Sequence, residues 1–369
     1  MTIKPVETKK DWRLFVKFPY QLHQTTPNWI PPLMMEQKKM FNKKKNSLLQ
    51  HCDYQFFLLY QDGQVIGRIA AFVDHVANEY WHDSVGFFGS YECIEDDQAA
   101  GMLLKTAEIW LKQKGMTKMR GPWNFVSQDI GFIKEGFDVP PVILSSYNPP
   151  YYPRQIENYG LSKVKDLLVY ACDVAKGYQM PQRFFDYTDR VAQRYQVTVR
   201  SIDMKRLVDE VKSIVEMTNS ATGNNWGYYP ISVAEADEIA ANLKMIIQPE
   251  AVLLAEVKGK PIGYLITLPD INTILKTMNG RLLPFGIFKL LRGIKKINQD
   301  RIWARGIIPE YQKKGIPGWM FRKLHEVLYS RRPRVEANWV LEDNHLMNNT
   351  LRQLKFDLVK RYRIYEKKI

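Results

Sequence analysis

Residues 307–318 read IIPEYQKKGIPG. The stretch leaves Arg301–Ile308, a segment of strand character, and enters Pro317–Arg331, where Met320, Leu324, Val327 and Leu328 recur on one helical face. A glycine-containing turn between a strand and the first turn of a helix points backbone N–H groups outward at the positive end of the helix, a geometry that receives phosphate or pyrophosphate. Lys313 and Lys314 add charge there. The stretch is not a P-loop, because no GxxxxGK followed by Ser or Thr is present, and it is not a GxGxxG dinucleotide turn. The reading is therefore of a strand–turn–helix unit for a phosphate-bearing ligand of another kind.

Working outward, the same organisation occurs twice. Residues 56–74 read FFLLYQDGQVIGRIAAFVD, and residues 252–270 read VLLAEVKGKPIGYLITLPD. Each has an apolar run, a polar turn centred on Gly63 or Gly259, and a second apolar run, which is the pattern of a β-hairpin. Downstream of each comes a strand (Gly86–Ile94; Arg301–Ile308), a helix (Asp96–Lys114; Pro317–Arg331), a strand (Lys118–Phe125; Arg334–Leu341) and a second helix (Tyr151–Tyr159; Asn344–Leu354). A final strand pair is expected in both. Alternating strands and helices behind an antiparallel hairpin predict an α/β fold with a mixed sheet, used twice. The second copy is preceded by a strand, Val197–Asp203, and by helices Arg206–Thr218 and Val233–Ile247, joined by an aromatic loop at residues 223–230. The expected division is an N-terminal domain 1–177, a linker helix within 178–196 and a C-terminal domain 197–369.

The turn at Gln312–Gly318 resembles the acyl-CoA loop of the GNAT (acyl-CoA N-acyltransferase) superfamily, whose pattern is Gln or Arg, two residues, Gly, one residue, Gly or Ala. Gln312, Lys313, Lys314, Gly315 and Ile316 match its first five places, Pro317 takes the sixth, and Gly318 comes one residue late. Asn344 resembles the family's Asn at the start of a helix ending in Leu-Gly-Phe, here Leu354-Lys355-Phe356. The resemblance is good over 197–369 and fainter over 50–175, so the chain is similar to tandem-GNAT proteins. It implies acetyl-CoA or another acyl-CoA as co-substrate in the C-terminal copy. The strand backbone at Ile307 and Ile308 would meet pantetheine, and Gln312, Lys313, Lys314, Gly315, Ile316, Gly318 and Asn344 would complete the site. The activity implied is attack of an amine on the thioester. The first copy has Glu95-Asp96-Asp97-Gln98 before its helix, and carboxylates there repel a pyrophosphate.

Two positions depart from the family. Leu351 stands where many relatives carry a Tyr acid, and Pro317 lacks one N–H of the cradle while suiting a helix start. The catalytic candidates that remain are Glu336, as a base on the strand 334–341 or else a solvated strand residue, and Tyr365 downstream of Tyr362. Trp226, Tyr228 and Tyr229 are acceptor-binding candidates on the aromatic loop, with an aromatic staple as the plainer reading. Arg305 suits an acceptor carboxylate or a salt bridge, and Asp343 suits a helix cap.

The whole chain has 369 residues, 45% hydrophobic and 12% aromatic, enough for two packed domains, and a formal net charge of +14. Much of that charge lies in an insertion at 271–301, where Lys276, Arg281, Lys289, Arg292, Lys295, Lys296 and Arg301 face one acid, Asp300. Ile287, Leu290, Leu291, Ile294 and Ile297 recur there at helical spacing, so 282–297 suits a basic amphipathic helix that packs on its own domain, lies on a membrane or covers a ligand. The run Lys38, Lys39, Lys43, Lys44 and Lys45 reads as a solvated loop. Three scattered cysteines, Cys52, Cys93 and Cys172, exclude a disulfide framework and suit a reducing cytoplasm, and neither a secretory h-region nor a membrane span is expected. His75 and His82 beside Asp74 and Asp83 read as solvated loop residues, and no metal is expected. No RRM, KH or zinc-finger motif favours nucleic acid. Three functions remain: an N-acyltransferase acting on a small-molecule or peptide amine, a degenerate relative that binds CoA or an anionic metabolite, and a basic membrane-surface or nucleic-acid binder.

Overall fold

The computed structural model describes residues 1–125, 130–223 and 225–369; Asn224 of the aromatic loop and the loop 126–129 lie outside the described residues. The chain forms two compact units. The first comprises Met1–Leu167, Asn272–Lys289 and Lys360–Ile369, and the second comprises Leu168–Ile271 and Leu290–Val359. The chain thus crosses between units more than once, and both the insertion and the last strand are divided at these crossings.

The first unit begins with β1 (Thr2–Pro5), α1 (Lys9–Leu22) and α2 (Met34–Met40). Lys38 and Lys39, expected in a loop, lie in the last turn of α2, where cations face the negative end of the helix. The hairpin follows as β2 (Cys52–Gln61) and β3 (Gln64–Asp74), turning at Gly63 with φ of 78°. Then come α3 (His75–Trp81), β4 (Val85–Cys93), α4 (Asp97–Gln113), β5 (Lys118–Gly121), β6 (Phe132–Glu135), α5 (Tyr151–Asn158) and β7 (Ser162–Asp173), whose residues from Leu168 on belong to the second unit. His75 therefore opens a helix capped by Asp74, and His82 closes it in the left-handed region, rather than both lying in a loop. Helix α4 forms as the spacing predicts. Asp96 accepts the Ala99 N–H at 2.8 Å, and Ala100, Leu103, Leu104, Ala107 and Leu111 are buried.

The second unit contains α6 (Gln182–Tyr195), β8 (Val197–Ser201), α7 (Leu207–Thr222), α8 (Val233–Leu243), β9 (Val252–Val257) and β10 (Lys260–Pro269). The inserted segment holds α9 (Asn272–Leu275) and α10 (Gly286–Gly293). The chain ends with β11 (Gln299–Ile307), α11 (Ile316–Leu328), β12 (Arg334–Leu341), α12 (His345–Gln353) and β13 (Asp357–Lys368). Strands run in the order β1-β2-β3-β4-β5-β13 in the first unit and β12-β11-β10-β9-β8 in the second, antiparallel except for the parallel pairs β4·β5 and β11·β12.

The expected final strand pairs are single strands, β7 and β13, each 12 residues long. Neither contains Gly, Pro or Asn, so nothing in them turns the chain back. The core of the second unit joins Phe184 and Val191 of α6, Ile316, Met320, Phe321 and Leu324 of α11, Leu351 of α12 and its C-cap Leu354. No helix among the described residues is long and apolar enough to cross a membrane.

Candidate active site

The site begins where two parallel strands stop pairing. Strands β11 and β12 run in register from Gln299↔Arg334 to Ile302↔Ala337, and among the described residues the register goes no further. The other edge of β11 stays bonded to β10 up to Ile307↔Gly263, with a bulge between Ile302 and Ala304. A bulge bends and twists its strand. One edge of Trp303–Ile307 is therefore left without a neighbouring strand, and the open wedge ends at the turn into α11.

That turn is built from two left-handed residues, Lys313 (φ 59°) and Gly315 (φ 76°). Gly315 is the N-cap of α11 and has no side chain to cap it, while Gly318 N–H donates back to the Gly315 carbonyl at 3.0 Å. The N–H groups of Lys313, Lys314 and Gly315 make no hydrogen bond among the described residues. Three open donors with two lysines at a helix N-terminus form an anion cradle. Glycine is required at 315 on two counts: its φ, and the Tyr187 hydroxyl, into which an added Cβ would run. Lys314 is fixed from both sides, its Nζ 4.6 Å from the Tyr311 ring centroid and 5.5 Å from that of Tyr195. An open cleft of about 730 Å³ beside the turn is lined by Tyr187, Arg190, Val191, Gln193, Arg194, Tyr195, Lys313 and Lys314. Four of these are cationic and none is acidic, so the cleft suits an anion. Arg190 and Arg194 come from α6, the helix expected from the sequence to be a linker.

The other expected site residues divide. Ile307 and Ile316 are buried, and their side chains belong to the core. The Ile308 N–H is bonded to Ile262 O at 3.0 Å. Gln312 does not face the cleft with its amide; Nε2 donates to the Ile307 carbonyl at 3.0 Å and ties the turn to the end of β11. Gly318 lies against Phe184 of α6, where an added Cβ would come within 3.1 Å of the ring. Asn344 caps α12 through Oδ1, which accepts the Met347 N–H at 3.1 Å, so Asn344 takes the role expected of Asp343.

Glu336 is fully buried rather than solvated. It lies opposite Arg301 in the still-paired part of the wedge, and Oε1 accepts from Arg334 at 3.2 Å. Sequence reasoning also missed further buried polar residues of the second unit. Arg301 lies 5.3 Å from the Trp339 ring centroid, and the Asn348 amide donates to Leu341 O and Glu342 O. The Thr267 hydroxyl is buried with no hydrogen-bond partner among the described residues. Polar residues at core positions were the available signal.

Tyr365 belongs to the first unit, fully buried, with its hydroxyl donating to Glu157 at 3.1 Å; burial pushes its pKa well above the usual range. It is not set up as the thiolate acid. Leu351 is core. Tyr228 donates to Asn219 Oδ1, which also accepts the Ile231 N–H at 3.0 Å, so it staples the aromatic loop. Trp226 and Tyr229 are half-buried beside it. Arg305 is half-buried and has no ion pair among the described residues; burial lowers its pKa to about 10. In the first unit, a ring nitrogen of His51, the Cys52 Sγ and a carboxylate oxygen of Asp74 all lie within 4.8 Å of one another. Asp74 Oδ1 there already accepts from His51 Nδ1 and Ala77 N, both at 3.0 Å.

No protein-family model matches the chain. Two curated sequences do, over nearly their whole length. Protein YghO of Escherichia coli is 34% identical across 98% of this chain and 94% of its own. The bacterial ceramide synthase of Caulobacter vibrioides is 32% identical across 100% and 97%. The chain belongs to the family of these two proteins. Its fold is the tandem GNAT fold. A tandem GNAT protein from the clavulanic acid biosynthesis pathway superposes with a TM-score of 0.57, covering 100% of this chain and 98% of that one at 11% identity. A GCN5-related N-acetyltransferase from Anabaena variabilis gives 0.53, covering 99% and 72% at 11% identity.

The two GNAT-like units are not equivalent. At the end of β4 in the first unit, Tyr151 donates to Cys93 O at 2.9 Å, and Tyr152 Oη accepts from Cys93 N at 3.1 Å while donating to Glu92 at 2.7 Å. Gln155 donates to Ile94 O at 2.9 Å. Side chains of α5 thus bond backbone groups at the end of β4, and Asp96 caps the following helix.

Proposed function

We propose that the second unit is an acyl-CoA-dependent N-acyltransferase. The observation that carries the reading is the parted β11–β12 pair ending at a turn with three unbonded N–H groups. The pyrophosphate of an acyl-CoA would sit on Lys313, Lys314 and Gly315, with Arg190 and Arg194 on the adenosine side. The thioester would lie in the wedge along Trp303–Ile307. An amine nitrogen attacks the thioester carbonyl carbon, the C–S bond breaks, and the amine proton leaves with the CoA thiol as net products amide and free thiol. Buried dipoles around the wedge would stabilise the developing oxyanion.

The acceptor we favour is a long-chain amino alcohol and the donor a fatty acyl-CoA rather than acetyl-CoA. The support is the relative named bacterial ceramide synthase, since a ceramide is such an amine bearing a fatty amide. The test incubates purified protein with acyl-CoAs of graded chain length and a long-chain amino alcohol, with free thiol and amide product as readouts. Amide formation that depends on both supports the reading. Tight CoA binding with no thiol release across amine classes would leave the degenerate binder, which Leu351 in the core and Tyr365 bonded to Glu157 favour. Absence of CoA binding at millimolar concentration overturns both.

A further inference from the structure

The inserted basic segment does not bury its whole apolar content. Leu290 and Ile297 point into the protein, at 5% and 7% exposure, and Ile287 and Ile294 are half-buried between them. The opposite side of α10 and its leading turn should then be polar, as in an ordinary surface helix. Instead Leu283, Phe285, Phe288 and Leu291 are 69%, 75%, 58% and 53% exposed. Scattered exposed apolar residues need no explanation; four within nine consecutive residues, two of them phenylalanine, form a patch. Phe285 and Phe288 are three residues apart, as are Phe288 and Leu291, so the patch runs along one side of the helix. Arg281, Lys289, Arg292, Lys295 and Lys296 surround it, all exposed, and no Asp or Glu occurs between Ile271 and Gln299.

We propose that Arg281–Lys296 is a docking surface for an anionic lipid bilayer, with Leu283, Phe285, Phe288 and Leu291 entering the headgroup–acyl boundary and the five cations meeting lipid phosphates. Charge decides the occupant: a purely apolar partner has no use for five uncompensated cations, and nucleic acid has little use for a protruding Phe–Phe–Leu stripe. Short amphipathic segments with bulky apolar residues on one side and Lys or Arg around them bind bilayers by both contributions. The surface stands apart from the acyl-transfer reading and does not depend on it.

The test uses the full chain in co-sedimentation with vesicles of phosphatidylcholine alone and of phosphatidylcholine with 30 mol% phosphatidylglycerol (about a physiological anionic fraction), at 100 mM salt. Expected is binding to the anionic vesicles and about tenfold or greater weakening toward the neutral ones. F285S/F288S and, separately, R292E/K296E should each weaken binding about tenfold or more. All four residues are exposed, so both variants should keep the wild-type melting temperature. Hydrogen exchange at 283–292 should slow on anionic vesicles. Equal binding to neutral vesicles, binding unchanged in both variants, or no binding at all overturns the proposal. So does a vesicle-free dimer that F285S/F288S dissolves, which would make the patch a contact between copies.

Discussion

Replacing Gly315 by Ala tests the anion cradle at its most constrained atom. Two penalties arise in the folded state. A Cβ residue held at φ of 76° occupies the left-handed region at a cost of about 1–2 kcal/mol. The new methyl also meets the Tyr187 hydroxyl, but that side chain is 43% exposed and can swing aside for roughly 0.5 kcal/mol. Stability measured by urea titration should therefore fall by about 1.5–2.5 kcal/mol. In the double variant G315A/Y187A the collision is gone and the backbone penalty stays, so the coupling between the two sites should be small. Relaxing φ turns the N–H groups of Lys313–Gly315 away from a common focus. Each charge-assisted hydrogen bond to a phosphate oxygen contributes about 1.5–3 kcal/mol, so partial loss of two should raise the CoA Kd by roughly 10–100-fold. Calorimetric titration of CoA reads that directly. A variant that is destabilised as expected yet binds CoA within twofold of wild type would show that the turn is not the phosphate site.

Asp300 gives a pH signature. Burial pushes its carboxyl from an ordinary 3.8 up to about 6, with Arg331 opposing the shift. A raised carboxyl pKa stabilises the fold fully below about pH 3.8, and that contribution is lost as pH rises through about 6. Wild-type stability should drop by about 2–3 kcal/mol relative to D300N between pH 4 and pH 7.5; a difference constant with pH would refute it. Glu336→Gln weakens a buried ion pair with Arg334, so stability should fall by about 1–3 kcal/mol while kcat stays within about threefold; a loss of several hundredfold in kcat at unchanged stability would make Glu336 the base. CoA should bind with a stoichiometry of one per chain, because Tyr151, Tyr152 and Gln155 fill the strand end of the first unit; two equivalent sites in calorimetry would contradict that assignment.

The repeat was legible because hairpins and α-helices are local. A Gly at φ above 70° ends each hairpin's first strand, and α4 and α11 follow from their apolar spacing. The glycine turn between strand and helix was equally visible, since the left-handed φ of Gly315 is a local reason for glycine. What the sequence hid depends on long-range placement. The roles of Arg190 and Arg194 appear only once α6 packs beside α11, where Phe184 and Tyr187 meet Gly318 and Gly315. The burial of Glu336 appears only once β11 and β12 pair at Arg301. Tyr365 reads as a nearby tyrosine in the sequence, yet its strand pairs with β5, where Tyr365 faces Gly121. No local pattern tells a closing strand which sheet it will join.

The contrast between the units also shows how one fold can leave backbone donors open in one copy and close the strand end in the other. A splayed parallel pair leaves backbone donors and acceptors without a strand to satisfy them, and buried polar backbone groups must be satisfied by something. In the first unit the protein does it: Tyr151 and Tyr152 take the Cys93 backbone, Gln155 takes Ile94, and the Asp96 side chain caps α4. The acidic stretch Glu95–Asp97 then costs nothing, since no anion needs to approach. In the second unit Gln312 satisfies one carbonyl at Ile307, and the three N–H groups of the turn remain, beside cations from α6. The chemistry at each strand end follows from whether side chains of the chain itself complete the backbone. Converting one into the other would require removing three α5 side chains together with the Asp96 cap, so introducing a single glycine turn in the first unit should not by itself create an anion cradle there.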